Sequence, residues 1–382
     1  MSADRTTETS PATKQSRGER LLSIDALRGF DMFWITGGDA LALAVLGLFS
    51  GAWAESLKQQ LEHVEWQGFR FYDLIFPLFL FLVGCVLPFS LAKYRDRPAD
   101  VYVRIARRTA ALILLGLIGN GLLKLNFAEL RYAGVLQRIG ICYGAAALVF
   151  LHLRLRGQIA LWLSILIGYW LILRFVPVPD GTAGDMTAEG NLAGYIDRHF
   201  LPGKIMKPYY GFGDNEGILS TIPAVATAML GAFAGQWLKS QNSQSIKAIG
   251  LAGAGVTLIG IGLLWSVPFP IIKNLWTSSF VLVAGGCSLL LLALFYTVID
   301  VIGFKAWSFF FVVIGMNAIT IYVGDNFIDF PKMSQYFFGG VMRLLKEGGY
   351  EQAAQVVFRA GIVFIEWLVL WFLYSKRVFL RV

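Results

Sequence analysis

Residues 20–49, RLLSIDALRGFDMFWITGGDALALAVLGLF, read as one apolar helix that nonetheless carries Asp25, Arg28, Asp31 and Asp39. At roughly 100° per residue, Asp39 falls about 20° from Arg28, with Asp25 and Asp31 about 60° to either side. The four ionisable groups then share one stripe of a helix whose other faces are Leu, Ala, Phe and Trp. Charges inside a bilayer are costly and face a bundle interior or a wet cavity. The stripe therefore predicts a membrane-spanning helix and a candidate site together. Just beyond it lies His63, one of only three histidines.

The composition of the whole chain agrees with that reading. Its 382 residues are 56% hydrophobic and 15% charged, with a mean hydropathy of +0.61. A soluble domain cannot hide so much apolar surface, whereas lipid solvates it. The 30 Phe and 11 Trp suit lipid packing and interfacial belts. A net charge of +8 is accounted for by cationic loops at a membrane surface, so a nucleic-acid partner is not expected. Cys85, Cys142 and Cys287 sit inside apolar runs and read as packing residues, not as a disulfide or metal cluster.

The expected fold is all-α: a polytopic bundle of about ten spans of some 20 residues each. They fall near 22–48, 70–92, 103–123, 133–152, 158–176, 217–238, 247–267, 277–299, 306–325 and 356–379. Residues 1–20 are polar and Ser/Thr-rich without an apolar core, which predicts a disordered cytosolic tail ahead of a single transmembrane domain over 21–382. Arg17, Arg20, Lys93, Arg95, Arg97, Arg104, Arg107, Arg108, Arg154, Arg156, Lys239, Lys247, Lys305, Lys376, Arg377 and Arg381 fall on the even-numbered side. The positive-inside rule then places both termini in the cytoplasm. Three outward connections are long, at 49–69, 177–216 and 326–355, and connections of that length cover or form sites.

Pairing a histidine with an acid is what general-base work requires, since a carboxylate stabilises the imidazolium that forms. Asp39 lies about 16 Å along the helix from Arg28, and His63 precedes the second span. The two meet if the 49–69 connection folds back into the bundle. The same residues also admit a structural reading, as an interfacial histidine and an intramembrane ion pair. Asp73 stands at the mouth of the second helix, where it can cap the helix or orient a site residue. Arg131, Gln137 and Arg138 open the fourth helix and can bind a polyhydroxylated or anionic ligand, or snorkel. Glu216 stands with Asp214 and Asn215 ahead of the sixth helix, where an acidic cap is reason enough. Asn317 and Tyr322 are mid-span polar groups that need partners. On the cytoplasmic side Arg28, Arg104, Arg107 and Arg108 suit phosphates, from a ligand or from lipid headgroups.

Six blocks bring these residues together in family order: RLLSIDALRGF, HVEWQGFRFYDLIFPLFLFLVG, RYAGVLQRIG, NLAGYIDRHFLPG, DNEGILSTIPA and IGMNAITIYVG. From Arg20 onward the chain resembles the heparan-α-glucosaminide N-acetyltransferase family of transmembrane acyltransferases, its bacterial members above all. The resemblance implies transfer of an acetyl group from cytosolic acetyl-CoA to the amine of a terminal glucosamine across a bacterial inner membrane. It implies acetyl-CoA as co-substrate, no metal and a homodimer. The family's active-site histidine matches His63. A polar residue that the family carries as Asn matches Asp39, and an acid there can also strengthen the base or accept a proton. The extra luminal domain and first helix of the lysosomal enzyme look absent. In the implied mechanism the arginines hold the CoA phosphates, and His63 with Asp39 deprotonates the amine. Asn317 or a backbone amide stabilises the oxyanion, and an acetyl-His63 intermediate is the alternative. Intramembrane acids and Pro-interrupted spans equally fit a proton-coupled secondary transporter. An O-acetyltransferase of a cell-envelope polysaccharide would keep the donor site and change the acceptor.

Overall fold

The computed structural model describes residues 21–91, 98–179, 181–206 and 211–379. The expectation of a disordered tail over 1–20 and the basic residues Lys93, Arg95, Arg97 and Arg381 lie outside the described residues. Among the described residues the structure is helical, with a single isolated bridge between Arg131 and Gly203.

The elements are α1 (Leu22–Phe33), α2 (Asp39–Leu46), α3 (Ala52–Gln60), α4 (Phe71–Cys85) and α5 (Leu87–Leu91). Next come α6 (Pro98–Gly119), α7 (Val135–His152), α8 (Leu155–Phe175), α9 (Leu192–Phe200), α10 (Ile218–Leu238) and α11 (Gln244–Trp265). The last are α12 (Ser278–Tyr296), α13 (Phe309–Met316), α14 (Ala318–Gly324), α15 (Phe330–Glu347) and α16 (Glu351–Ser375).

Among the described residues, eight helices or joined helices are long and apolar enough to cross a bilayer, and α13 with α14 makes a ninth that is bent by 59°. The tenth is α6. Its charged first half keeps its mean hydropathy low, but it packs antiparallel along the length of α7. Tyr102 stacks on His152 at one end, and Gly116 meets Gln137 at the other. At 22 residues α6 covers about 33 Å at 1.5 Å per residue. The protein is a polytopic helical membrane protein.

One expectation needs correction. The charged stretch is not one straight helix. Residues Trp34–Gly38 form a π-type segment in which Thr36 and Gly37 leave helical geometry, Gly37 at φ 124°. Gly37 tolerates this because it lacks a Cβ, and the phase argument that placed Asp39 beside Arg28 stops at the break. The connection over 326–355 holds α15, whose buried Phe330, Ser334 and Met342 form a stripe facing α16. The Ser334 hydroxyl donates to the Phe358 carbonyl at 2.8 Å. The other two long connections hold α3 and α9.

Close helix packing positions the bundle around its polar residues. Where α1 crosses α13, a methyl on Gly29 or Gly315 would overlap a backbone carbonyl of the facing helix. Gly84 of α4 and Gly231 of α10 do the same for that pair, so these two helices approach backbone to backbone. Small residues at such crossings are how helices associate in lipid, where no hydrophobic effect drives them together.

Candidate functional site

Asp73 is the centre of the site. It lies in the first turn of α4, its side chain fully buried, and one carboxylate oxygen accepts the backbone N–H of Arg70 at 3.1 Å and of Val64 at 3.4 Å. The other oxygen meets His63 Nδ1 at 2.8 Å. Capping and orienting, the alternatives open for Asp73 in the sequence, are both done by this one group. Lys273 completes a triangle: its Nζ lies 3.3 Å from the same Asp73 oxygen, 3.0 Å from His63 Nδ1 and 3.4 Å from His63 Nε2. Tyr72 flanks the imidazole with ring centroids 4.7 Å apart, and Arg70 donates to the His63 carbonyl at 3.2 Å. The His63 side chain stays 35% exposed, so an incoming group can reach the ring that Asp73 anchors from below.

Three connections are stitched together to hold that ring. Trp66 Nε1 donates to the Met186 carbonyl at 2.7 Å, which ties the segment before α4 to the one before α9. The Gly68 N–H donates to the Ile271 carbonyl at 2.9 Å, which ties it to the segment that carries Lys273. That segment is locked in turn by Tyr169 donating to the Leu275 carbonyl and by Ile272 N–H donating to Thr277 Oγ1. Trp276, buried with a left-handed backbone at φ 52°, donates its indole N–H to Thr227 at 3.1 Å.

A second polar cluster lies nearby. Arg131 makes a two-pronged pair with Asp214, at 2.9 and 2.6 Å, and also donates to Glu216. Asp214 and the start of α10 hang on buried Asp197 of α9, which accepts the N–H groups of Asp214 at 3.1 Å and Ile218 at 2.9 Å. Arg138 is buried over the Trp276 ring, 5.0 Å from its centroid, and donates to Ser220. Its Nε and Nη1 have no hydrogen-bond partner among the described residues, nor has Gln137 Nε2. The Glu216 charge reaches Lys273, Arg138 and Tyr322, so the two clusters share one electrostatic field.

Burial pushes the Lys273 amine below its usual range, and Asp73 and Glu216 offset that only in part. Burial likewise raises Asp197, to about 6. Burial would also raise Asp214, but its bonds to Arg131 hold it below the ordinary carboxylate value.

Contacts and charge thus link His63, Asp73, Arg131, Arg138, Glu216 and Tyr322, with Gln137 next to Arg138 on α7, and the remaining candidates make other contacts. Asp39 opens α2 just past the break and makes no hydrogen bond or ion pair among the described residues. The partner of His63 is Asp73. Trp34 and Phe71 meet with ring centroids 5.1 Å apart, which links the break in the first helix to the mouth of α4. Asn317 sits at the bend between α13 and α14 and donates to the Val378 carbonyl at 3.2 Å. Arg28 is taken up by the Gly315 carbonyl at 2.7 Å and Asp25 at 2.9 Å. Arg104, Arg107 and Arg108 follow one another on α6, with the Arg108 guanidinium 4.4 Å above the Tyr143 ring. Among the described residues no three His, Cys, Asp or Glu side chains are grouped to hold a metal ion. Lys273 was not a sequence candidate, yet one signal marks it: it is the only charged residue in the connection SVPFPIIKNLWT, residues 266–277.

A bundle of membrane-spanning helices with a buried carboxylate holding a half-exposed imidazole defines the class: a polytopic helical membrane protein with a polar site at the helix ends. Comparison with known proteins narrows the class. The chain is 27% identical to the heparan-α-glucosaminide N-acetyltransferase of Mus musculus over 428 aligned residues, covering 97% of the chain. It is 29% identical to that of Homo sapiens over 369, covering 81% of the chain. It spans 62% and 53% of the length of these curated relatives. No protein-family model matches. The similarity runs over most of the chain and supports membership at family level among the heparan-α-glucosaminide N-acetyltransferases.

Proposed function

We propose that the protein is a multi-pass N-acetyltransferase of a bacterial inner membrane, with both termini cytoplasmic. It moves an acetyl group from cytosolic acetyl-CoA to the amine of a glucosamine-type sugar on the outer side. The observation that carries this reading is the His63–Asp73 contact. A Nδ1 proton directed to Asp73 makes Nε2 the basic nitrogen, the tautomer a base requires, with Lys273 Nζ 3.4 Å from it.

The sugar amine must lose its proton to attack, and His63 Nε2 takes it while Asp73 stabilises the resulting imidazolium. Asp39, without a hydrogen-bond or ion-pair partner among the described residues, is the acid that receives the sugar's ammonium before deprotonation. Arg138 and Gln137, with unused N–H groups, and Tyr322 and Glu216 bind sugar hydroxyls, while Arg131 acts through Glu216. Asn317 enters only as a support of the α13–α14 bend that lines the site. The CoA phosphates lie against Arg104, Arg107 and Arg108, with Arg28 behind them. The transmembrane domain over 21–382 works as one unit, and a homodimer in the bilayer is part of this reading.

The test is transfer of labelled acetyl from acetyl-CoA by purified protein, over glucosamine and matched hydroxyl-only sugars. Acetylation of glucosamine alone supports the reading; acetylation of the hydroxyl-only sugars would move it to the O-acetyltransferases. Absence of acetyl-CoA binding would return the chain to a transporter. Labelled protein formed without acceptor would favour an acetyl-His63 intermediate.

A further inference from the structure

We propose that Lys273 is a catalytic residue, its ammonium stabilising the oxyanion that forms when the acetyl carbonyl is attacked beside His63. The inference rests on the transfer reading above and names a group that reading lacked.

Lys273 is surplus to the needs of Asp73. One oxygen of Asp73 already accepts two backbone N–H groups and the other accepts from His63, yet a buried ammonium is added at 3.3 Å. Burying a cation is costly and calls for a compensating anion. At rest, with Asp73 negative, Lys273 positive and His63 neutral, the cluster is balanced. Once Nε2 takes the proton of the amine it carries a net positive charge, and that is the moment the oxyanion appears. Position agrees with charge. Nζ lies 3.4 Å from Nε2, so a carbonyl held for attack by an amine donating to Nε2 has its oxygen within reach of Nζ. Asn317, the other candidate for this role, donates to the Val378 carbonyl instead.

The steps balance. The amine nitrogen bonds to the acetyl carbon as its proton passes to Nε2, and the carbonyl π pair moves to oxygen beside Nζ. The C=O bond re-forms, the C–S bond breaks, and the departing thiolate takes the proton back from Nε2.

The charged groups facing Lys273 are His63 from the segment before α4, Asp73 from α4 and Glu216 from the segment before α10. Burial lowers the Lys273 amine, so its positive charge is lost as pH rises through that lowered value. The experiment is steady-state acetyl transfer by full-length protein in detergent, with glucosamine and acetyl-CoA. Lys273→Met is expected to lower kcat by roughly 10²–10³-fold, with both KM values within about threefold of wild type. Wild-type kcat is expected to fall on the alkaline side below the ordinary lysine value of about 10.4. Lys273→Arg, which keeps its charge, is expected to retain activity and to lose that alkaline fall. A Lys273→Met protein with kcat within tenfold of wild type, or with its loss confined to KM, overturns the proposal. Where Lys273→Met is not recovered folded, identical alkaline limbs in wild type and Lys273→Arg overturn it. Wild-type protein inert toward every amine overturns the transfer reading along with it, whereas active wild type beside an indifferent Lys273→Met overturns the role of Lys273 alone.

Discussion

Two buried carboxylates, Asp73 and Asp214, do similar local work and end differently. Each is closed off from solvent, each accepts backbone N–H groups near a helix start, and each meets a cation. The Asp214 network closes on itself: Arg131 binds Asp214 and Glu216, and Asp197 holds the backbone behind them. The Asp73 network instead ends on an imidazole whose side chain stays 35% exposed, with Nε2 met by Lys273 at 3.4 Å. The contrast separates a bracket from a working group. A cluster of mutually paired ions fixes where segments sit, whereas a cluster that ends on a solvent-reached imidazole can move a proton.

That contrast can be broken experimentally, and the largest effect is expected at the Asp73 cluster. His63→Ala should abolish transfer while acetyl-CoA still binds, and Asp73→Asn should lower kcat by roughly 10³–10⁴-fold by mis-setting the tautomer. Loss of acetyl-CoA binding in parallel would make the Asp73 cluster a bracket too. At the closed cluster, Arg131→Ala should cost about 3 kcal/mol of stability, read by thermal unfolding in detergent, because two buried carboxylates lose their cation. A kcat loss in that variant with no change in unfolding would reverse the assignment.

Asp39→Asn should lower kcat/KM for the sugar by about tenfold or less, because an exposed-side acid with no hydrogen-bond or ion-pair partner among the described residues contributes one contact to charge. A loss as large as that of His63→Ala would place Asp39 in the proton transfer itself. The smallest effect belongs to Asp197. Its folded value of about 6 lies above the ordinary 3.8, so the folded protein binds the extra proton and stability falls as pH rises through that window. Wild-type protein should therefore unfold at a higher temperature at pH 5 than at pH 7, relative to Asp197→Asn. Asp214, held below its ordinary value, loses its contribution only at lower pH and does not disturb the comparison.

Much of this architecture could be read from the chain alone, for physical reasons. A helix must keep some 20 residues apolar to cross hydrocarbon, so the spans announce themselves, and a motif such as HVEWQGFRFYD sets His63 and Asp73 close in sequence. Their direct contact was harder to read, because it depends on how residues 64–70 turn at the mouth of α4. Asp39 was aligned with Arg28 by a helical phase that the π-type segment at Trp34–Gly38 interrupts, and the Gly-Gly pair was the available warning. The α15 helix was hidden by its own mixture of charge, aromatic and Gly-Gly residues, which reads as a connection until its buried stripe finds α16. Lys273 was lost because one lysine in an apolar connection looks like an interfacial anchor. Only the tertiary fold, through the Gly68–Ile271 bond, carries it 210 positions back to the imidazole.

The stitching of three separate connections has a mechanical consequence. An imidazole tied through Trp66 to one segment and through Gly68 to another cannot swing aside with any one of them. Anything approaching it must fit a wall that is already standing. The Gly68 amide should accordingly be among the slowest to exchange with deuterium on its face of the protein, which would mark the bundle's rim as stiffer than its length in loops implies.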